Sequence, residues 1–218
     1  MKLKIVLSFV ALCLAVISYS QVTGIVVEEV DNGGTVKGRT IRVYAVLAND
    51  SDQVFMVYGE KNHPMYIRSN KAFYQSDMAG ASARDSNRKL STDNPTVRYD
   101  SWLTIGATDN YDNNTSLTID TENFEKSGAE IATNEGAWYA LPNSKQCYPD
   151  GQKRVLLMQL TSEGGMEGKF SIMGRMPKVK ISIITMPLSP LEWESKLEEF
   201  SGIGIFHFLQ TFNWPCID

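Results

Sequence analysis

Alternation of apolar and polar side chains with a period of two is the feature that most constrains how this chain of 218 residues can fold. It is clearest over residues 40–48, where four apolar residues recur at every second position: Ile41, Val43, Ala45 and Leu47. Successive side chains of a β-strand point to opposite faces of a sheet, so this pattern predicts a strand with one buried face. Residues 22–30 precede it across Asp-Asn-Gly-Gly, whose asparagine and glycines supply the positive φ of a hairpin turn.

Similar short segments recur along most of the chain and are separated by turns rich in Gly, Asn and Asp. The further predicted strands are residues 53–58, 65–68, 72–75, 99–106, 116–120, 137–141, 154–161, 169–173 and 178–185. Since no helical segments separate them, they predict antiparallel pairing and an all-β fold, an antiparallel β-sandwich with a barrel as the alternative. The absence of a βαβ pattern and of a GxGxxG segment excludes a dinucleotide-binding fold.

The first twenty residues have the organisation of a secretory signal peptide. A basic start at Lys2 and Lys4 is followed by an apolar run over residues 5–17 and then by Ser-Tyr-Ser, which places small residues at positions −3 and −1. The apolar run is shorter than the roughly 20 residues that cross a bilayer as a helix, and no later segment is long and apolar enough. We therefore expect cleavage between Ser20 and Gln21, no transmembrane segment, and a secreted, extracellular or cell-surface location.

The charge balance restricts the classes of partner. The chain has 21 Lys and Arg against 25 Asp and Glu, a formal charge of −4, and the predicted cleavage makes it more acidic by removing Lys2 and Lys4. Nucleic acids and anionic membrane surfaces require clustered basic residues, so neither is expected as the main partner. A hydrophobic content of 43% over this length is sufficient to form a buried core.

Two segments interrupt the strand pattern. Residues 76–96 are polar and carry few large apolar side chains, which favours a mobile or disordered connection. Near the C-terminus, Ser-Pro-Leu-Glu at 189–192 is a capping box with proline at the first helical position, and it predicts a short amphipathic helix over residues 190–201. The predicted organisation is a signal peptide (1–20), a β-sandwich domain (21–176) and a tail with this helix and an aromatic segment (177–218).

Several predicted strands carry distinctive motifs. The most specific are Tyr-Asp-Ser-Trp-x-Thr-Ile-Gly at 99–106 and Arg-Val-Leu-Leu-x-Gln-Leu-Thr at 154–161, and Thr-Ile-Arg-Val-Tyr-Ala at 40–45 precedes them. In this order the segments resemble a β-rich module that recurs in exported proteins of marine bacteria and some microbial eukaryotes, and the resemblance covers roughly residues 22–176. It implies export and a β fold. That module has no established activity, so the resemblance implies no functional residues.

The cysteine content allows one disulfide. Cys13 lies within the predicted signal peptide, which leaves Cys147 and Cys216 in the mature chain. In an oxidising compartment these two cysteines can pair, which would tie the tail to the domain, and two unpaired thiols are the alternative. The absence of a CxxC motif or a Cys/His cluster argues against a structural zinc site.

A loop rich in oxygen donors is the strongest candidate for a metal site. It lies between two predicted strands and contains Asp109, Asn110, Asp112 and Asn114. Carboxylate, amide and carbonyl oxygens are the ligands that Ca²⁺ prefers, so calcium is the cofactor that this loop would hold. The loop lacks the glycine and the terminal glutamate of an EF-hand, and Asp and Asn are also common in turns because they bond to their own backbone.

Trp138 and Tyr139 are the candidate ligand-binding aromatic residues. Because adjacent residues on a strand point to opposite faces, at least one of the two is expected to face outward. Aromatic rings with polar tips offer flat apolar surfaces, which suits them to binding sugars. Core packing is the alternative for any such ring, and the alternating pattern around Trp102 favours it there.

Motifs for catalysis are sparse. His63 and His207 are the two histidines of the chain, and no GxSxG segment accompanies them. Three acids at strand ends, Asp100, Asp120 and Glu122, could in principle contribute a carboxylate pair for glycoside hydrolysis, although acids at such positions commonly form turns. The sequence therefore favours an exported non-catalytic module for binding or surface adhesion, with a polysaccharide or a cell-surface molecule as its partner. The alternatives are a secreted carboxylate-dependent glycoside hydrolase and a structural envelope protein without a ligand.

Overall fold

Two β-sheets enclose the hydrophobic core in the computed structural model, which describes residues 22–175, 183–185, 196–198 and 205–214. The predicted all-β, sandwich-like fold is therefore confirmed. The signal peptide and its cleavage site lie outside the described residues.

Most of the strands overlap the predicted positions, but residues 72–75 form only an isolated bridge at Phe73, and the strand predicted over residues 99–106 is reduced to two residues. The strands are β1 (Val22–Val30), β2 (Arg39–Leu47), β3 (Gln53–Gly59), β4 (Met65–Ser69), β5 (Trp102–Leu103), β6 (Ser116–Leu117), β7 (Ile131–Thr133), β8 (Gly136–Tyr139), β9 (Arg154–Ser162), β10 (Met166–Arg175), β11 (Ile183–Thr185), β12 (Lys196–Glu198) and β13 (Ile205–Trp214). The helical elements are α1 (Arg88–Asp93), α2 (Glu122–Ser127) and three 3₁₀ turns, Ala83–Asp85, Pro95–Tyr99 and Lys145–Cys147.

The strands form two sheets with different numbers of members. Sheet A has the order β1-β2-β9-β5, and sheet B has the order β12-β11-β13-β10-β3-β8-β6. β4 also pairs with β10, at the end that β3 does not cover, and β7 pairs with β4. Paired strands are antiparallel apart from β11 and β13, which are parallel.

Alternation on the strands determines which side chains form the core. The four apolar residues predicted to share one face of β2 are each at most 1% exposed. Sheet B contributes aromatic rings from its inner face, where the centroid of Phe170 lies 6.5 Å from that of Trp138 and 6.3 Å from that of Phe212. Burial of these apolar side chains is the main favourable contribution to folding.

A buried network of polar side chains joins β9 to the turn that precedes β5. Gln159 Nε2 donates to the carbonyl oxygens of Arg98 and Asp100, each at 2.9 Å. Thr161 Oγ1 donates to the carbonyl oxygen of Tyr99 at 2.6 Å. Gln159 and Thr161 are both fully buried. β5 has only two residues, so the carbonyl groups just before it have no strand partner. The side chains of Gln159 and Thr161 provide their hydrogen bonds instead.

Residues 76–96 fold onto sheet A, which contradicts the expected mobile or disordered connection. Ser82 and Asp85 form a reciprocal capping box, and Asn87 Oδ1 accepts a hydrogen bond from the Leu90 N–H at the start of α1. A small apolar cluster on the outer side of sheet A includes one residue of this segment: Tyr44, Ala83, Trp102 and Leu156. The segment is ordered by side chain–backbone hydrogen bonds and by small buried residues, which hydropathy does not register.

The C-terminal segment contributes a long strand to sheet B. β13 pairs antiparallel with β10 along all ten of its residues. A Cβ atom at Gly168 would lie 2.3 Å from the ring of Phe212, so this glycine leaves the space that the ring occupies. Residues from the predicted tail therefore lie within the sheet, next to its central strand.

The helix predicted over residues 190–201 is wrong at residues 196–198. These residues form β12, which pairs with β11, and the rest of the predicted helix lies outside the described residues. Helix propensity and capping signals are weak local preferences, and pairing with a neighbouring strand overrides them.

Replacing Gln159 with leucine tests the buried polar network. Leucine has a similar shape but donates no hydrogen bond, so the carbonyl groups of Arg98 and Asp100 lose their partner. We expect the free energy of unfolding, measured by chemical denaturation, to fall by about 2–4 kcal/mol. Gln152→Leu changes an exposed turn residue and should stay within about 0.5 kcal/mol of the wild type. Equal effects of the two substitutions would contradict a structural role for the network.

Candidate functional site

The two adjacent aromatic residues predicted to bind a ligand lie on opposite faces of sheet B. Trp138 pairs with Val57 on the inner face, is fully buried, and donates from Nε1 to Thr104 O at 2.9 Å. A ring without exposed surface cannot stack on a ligand, so the prediction is wrong for Trp138, which belongs to the core. Tyr139 pairs with Met56 on the outer face and is half-buried. Of the pair, Tyr139 is therefore the residue available to a ligand.

A cleft of about 550 Å³ lies beside this outer face, and we call it the β3–β8 cleft. It forms because β3 ends at Gly59 and β8 begins at Gly136, and these two residues are paired. After Gly59 the chain leaves the sheet in a turn that leads to β4. Before Gly136 it enters the sheet from a turn that follows β7. The turns and adjoining strand residues line the cleft: Tyr58, Gly59, Glu60, Lys61, Thr118, Asn134, Glu135, Gly136 and Ala137.

The rim of the cleft is polar. Glu60 and His63 close the first turn through two backbone hydrogen bonds, at 3.1 and 3.0 Å, and their side chains lie 3.2 Å apart. The carboxylate of Glu135 and the ammonium of Lys61 are exposed, and among the residues described here neither makes an ion pair. The rim thus presents hydrogen-bond donors and acceptors that are directed to solvent.

The floor of the cleft contains a tyrosine. Tyr58 is 9% exposed, and burial raises the pKa of its hydroxyl to about 12, while a hydrogen bond with Ser171 opposes that shift. The hydroxyl therefore stays neutral at physiological pH and can both donate and accept a hydrogen bond. A polar rim over an aromatic floor is suited to a small polar ligand with apolar faces.

The loop predicted to bind calcium uses its oxygen atoms within the fold. Asp109 Oδ2 accepts from Arg88 Nε at 2.6 Å, and Asp109 Oδ1 accepts from the Tyr111 N–H at 2.8 Å. Asn114 Oδ1 accepts from the Leu141 N–H at 2.9 Å. These atoms, which would be the ligands of a cation, already have protein donors.

The two remaining loop residues do not complete a metal site. The Asn110 N–H donates to Ser86 O at 2.8 Å, and Asp112 is exposed with a φ of 49°. Within the part of the chain that the structure describes, no group of three or more His, Cys, Asp and Glu side chains is placed to hold a metal ion. The geometry favours a loop that is stabilised by its own hydrogen bonds over a calcium site.

The candidate catalytic acids occupy very different environments. Asp100 is fully buried, its Oδ1 accepts from the Ser76 N–H at 2.7 Å, and its Oδ2 has no hydrogen-bond partner. Burial, with a smaller contribution from the like charge of Glu125, raises the pKa of Asp100 to about 7 against the hydrogen bonds that lower it. Asp120 and Glu122 are exposed at the start of α2. A fully buried acid and two exposed ones do not form a carboxylate pair around one substrate.

Cys147 is a free and fully buried cysteine. Its Sγ lies 3.2 Å from Ser144 Oγ and 3.4 Å from Leu141 O, and burial raises the pKa of the thiol. The predicted partner, Cys216, lies outside the described residues. The disulfide therefore stays a prediction, and the structure places Cys147 in the core.

Comparison with known proteins provides no relative from which a role could be transferred. No protein-family model, no curated protein and no solved structure matches the chain. Among the described residues, no helix combines the length and the apolar character needed to cross a membrane. The geometry of the β3–β8 cleft is therefore the main indication of function.

Sequence reasoning does not single out the residues that line the rim of this cleft. Glu60 and Lys61 lie in one turn and Asn134 and Glu135 in another, and polar residues are ordinary in turns. Only the pairing of β3 with β8 brings the two turns together. The one available signal was the glycine beside each turn, because glycine within a strand often marks a close approach of two backbones.

Asp100→Asn tests the buried carboxyl through the pH dependence of stability. The unfolded carboxyl ionises near 3.8 and the folded one near 7, so the contribution of Asp100 is complete below about pH 4 and is lost as the pH rises to about 7. This loss amounts to up to about 4 kcal/mol. We expect urea denaturation from pH 4 to 8 to show a decline in the wild type that the variant lacks.

The control for this experiment is Asp77→Asn, which changes an exposed carboxyl next to Ser76, the residue whose N–H donates to Asp100. It should keep the pH profile of the wild type, because it leaves the buried carboxyl of Asp100 in place. If Asp100→Asn also kept that profile, the carboxyl of Asp100 would not titrate as its burial implies.

Proposed function

We propose that the protein is an exported, non-catalytic binding module that takes a carbohydrate ligand in the β3–β8 cleft. The observation that carries the proposal is the composition of the cleft, a polar rim over a tyrosine floor with Tyr139 on the same sheet face. Sugars combine many hydroxyl groups with apolar ring faces, so they match such a surface. The predicted signal peptide supports a location where polysaccharides and cell surfaces are the available partners.

A glycoside hydrolase is the second candidate, because Glu60 and Glu135 both line the cleft. Two carboxylates on either side of a glycosidic bond are the usual machinery for its hydrolysis. Against it, catalytic carboxyl groups are tuned by burial, and the side chain of Glu60 is 52% exposed and pairs with His63. Binding without turnover is therefore the function that this geometry favours.

Export is tested by the mass of the protein that accumulates in its native host. We expect the culture medium or the cell envelope to contain a chain that begins at Gln21, because the residues before it have the pattern of a cleaved signal peptide. Intact mass spectrometry distinguishes this product from the full chain. A full-length protein recovered from the cytoplasm would contradict export.

Ligand binding is tested with the chain from residue 21 on a glycan array, alongside a hydrolase screen on the same polysaccharides. Tyr139→Ala should weaken binding of the recognised glycan by about 1 kcal/mol through loss of an aromatic surface. The matched control is Tyr111→Ala, which removes a tyrosine that is 72% exposed on the Asp109–Asn114 loop and should leave binding unchanged. Thermal denaturation of both variants verifies that they fold.

The alternatives predict different results in the same two assays. Turnover of a polysaccharide that is lost in Glu60→Gln or Glu135→Gln would establish the hydrolase. The absence of both binding and turnover would favour a structural envelope protein. Binding that resists Tyr139→Ala and Glu135→Gln would locate the ligand outside the β3–β8 cleft.

A further inference from the structure

A second concave surface lies at the far end of β4 from the β3–β8 cleft. It measures about 330 Å³, and we call it the β4–β10 cleft. Its polar lining includes Arg68, Asn70, Glu167 and Asn213. The guanidinium of Arg68 pairs with Glu167 and also lies over the ring of Tyr66, 4.7 Å from its centroid. The lining of this cleft is thus largely polar, and Tyr66 is linked to it through Arg68.

The register of sheet B places the two clefts along one face. On β10, Ser171 lies opposite Tyr58, Lys169 opposite Tyr66, and Glu167 opposite Arg68. Residues two apart on a strand share a face, so these three positions and their partners all lie on the same side of the sheet. Tyr139 belongs to this side as well, because its partner Met56 is two residues from Tyr58.

The distance between the clefts exceeds the size of one sugar ring. Ser171 and Glu167 are four residues apart on β10, which corresponds to about 13 Å along the strand. The half-buried ring of Tyr66 lies between them, next to the side chain of Lys169. Among the described residues Lys169 makes no ion pair, so its ammonium is available to donate to hydroxyl groups.

We infer that this face of sheet B binds an extended, linear polysaccharide over several consecutive sugars, from the β3–β8 cleft across Tyr66 to the β4–β10 cleft. The inference rests on the proposed carbohydrate function and specifies its ligand class as an internal stretch of polymer instead of a terminal monosaccharide. Two polar clefts with an aromatic ring between them provide successive contacts for successive sugars. A single sugar could use one of these contacts at a time.

The experiment compares oligosaccharides of two lengths by isothermal titration calorimetry. The probes are the disaccharide and the hexasaccharide from each of four polymers: β-1,3-glucan, β-1,4-glucan, β-1,4-mannan and alginate. For the recognised linkage, the hexasaccharide should bind at least about tenfold more tightly than the disaccharide, since the additional contacts include an aromatic ring. Tyr66→Ala should remove most of this difference.

Tyr111→Ala is a close match to the Tyr66 substitution. Each tyrosine lies beneath an arginine, with Arg88 6.0 Å from the centroid of Tyr111, but Tyr111 lies on the loop between β5 and β6 and lines neither cleft. It should keep the length dependence of the wild type. Arg68→Ala is the second variant, because it changes the β4–β10 cleft without altering an aromatic ring, and it should also weaken the hexasaccharide selectively.

The outcomes separate the inference from the proposed function. Equal affinities for the disaccharide and the hexasaccharide would overturn the extended site and leave a carbohydrate-binding cleft intact. A length dependence that survives both Tyr66→Ala and Arg68→Ala would also overturn the extended site, since the polymer would follow another path. Absence of binding to every probe would overturn the carbohydrate function itself, and the extended site with it.

Discussion

Hydrogen bonds from the side chains of β9 to the chain before β5 fix one edge of sheet A and, through it, a contact with sheet B. Gln159 and Thr161 hold the carbonyl groups of residues 98–100, and this fixes the start of β5, which has only two strand residues. Just beyond β5, Thr104 O receives the indole N–H of Trp138 from the opposite sheet. The buried network therefore helps to position β8, and the other face of β8 borders the β3–β8 cleft. Buried polar networks of this kind specify one arrangement of a core because every alternative leaves a group unpaired.

The sequence predicts those elements whose structure depends on the alternation of their own side chains. β2 and β9 are apparent from their pattern, and the motifs at 99–106 and 154–161 lie against each other in the fold. Prediction fails where structure depends on distant partners. The segment 76–96 lacks large apolar residues but is ordered by caps such as Ser82, and residues 196–198 carry a helical pattern but pair as a strand with β11. Local patterns do not contain the information about these partners.

The candidate site is harder to predict than the fold for a related reason. Reasoning from alternation correctly requires one of Trp138 and Tyr139 to face outward, but strand alternation alone does not determine which one. Asp109 and Asn114 have the composition of a calcium loop, yet hydrogen bonds from Arg88 and the Leu141 N–H occupy their oxygens. The polar rim of the cleft comes from two turns that are distant in sequence and adjacent only because β3 pairs with β8. Composition identifies residue types, whereas their availability to a ligand is a property of the packed sheet.

The position of β13 in sheet B makes the protection of the β10 edge depend on the last described strand. β13 is the last described strand of the chain, but in the sheet it lies between β10 and β11 and not at an edge. Before β13 pairs with it, β10 presents an open row of backbone N–H and C=O groups. The space at Gly168 that the ring of Phe212 fills is then empty. An open strand edge of this length is a template for pairing with other chains. Proteolytic removal of β13 would thus expose the edge of β10 and favour self-association of the remaining sandwich, with the outer face of sheet B otherwise unchanged.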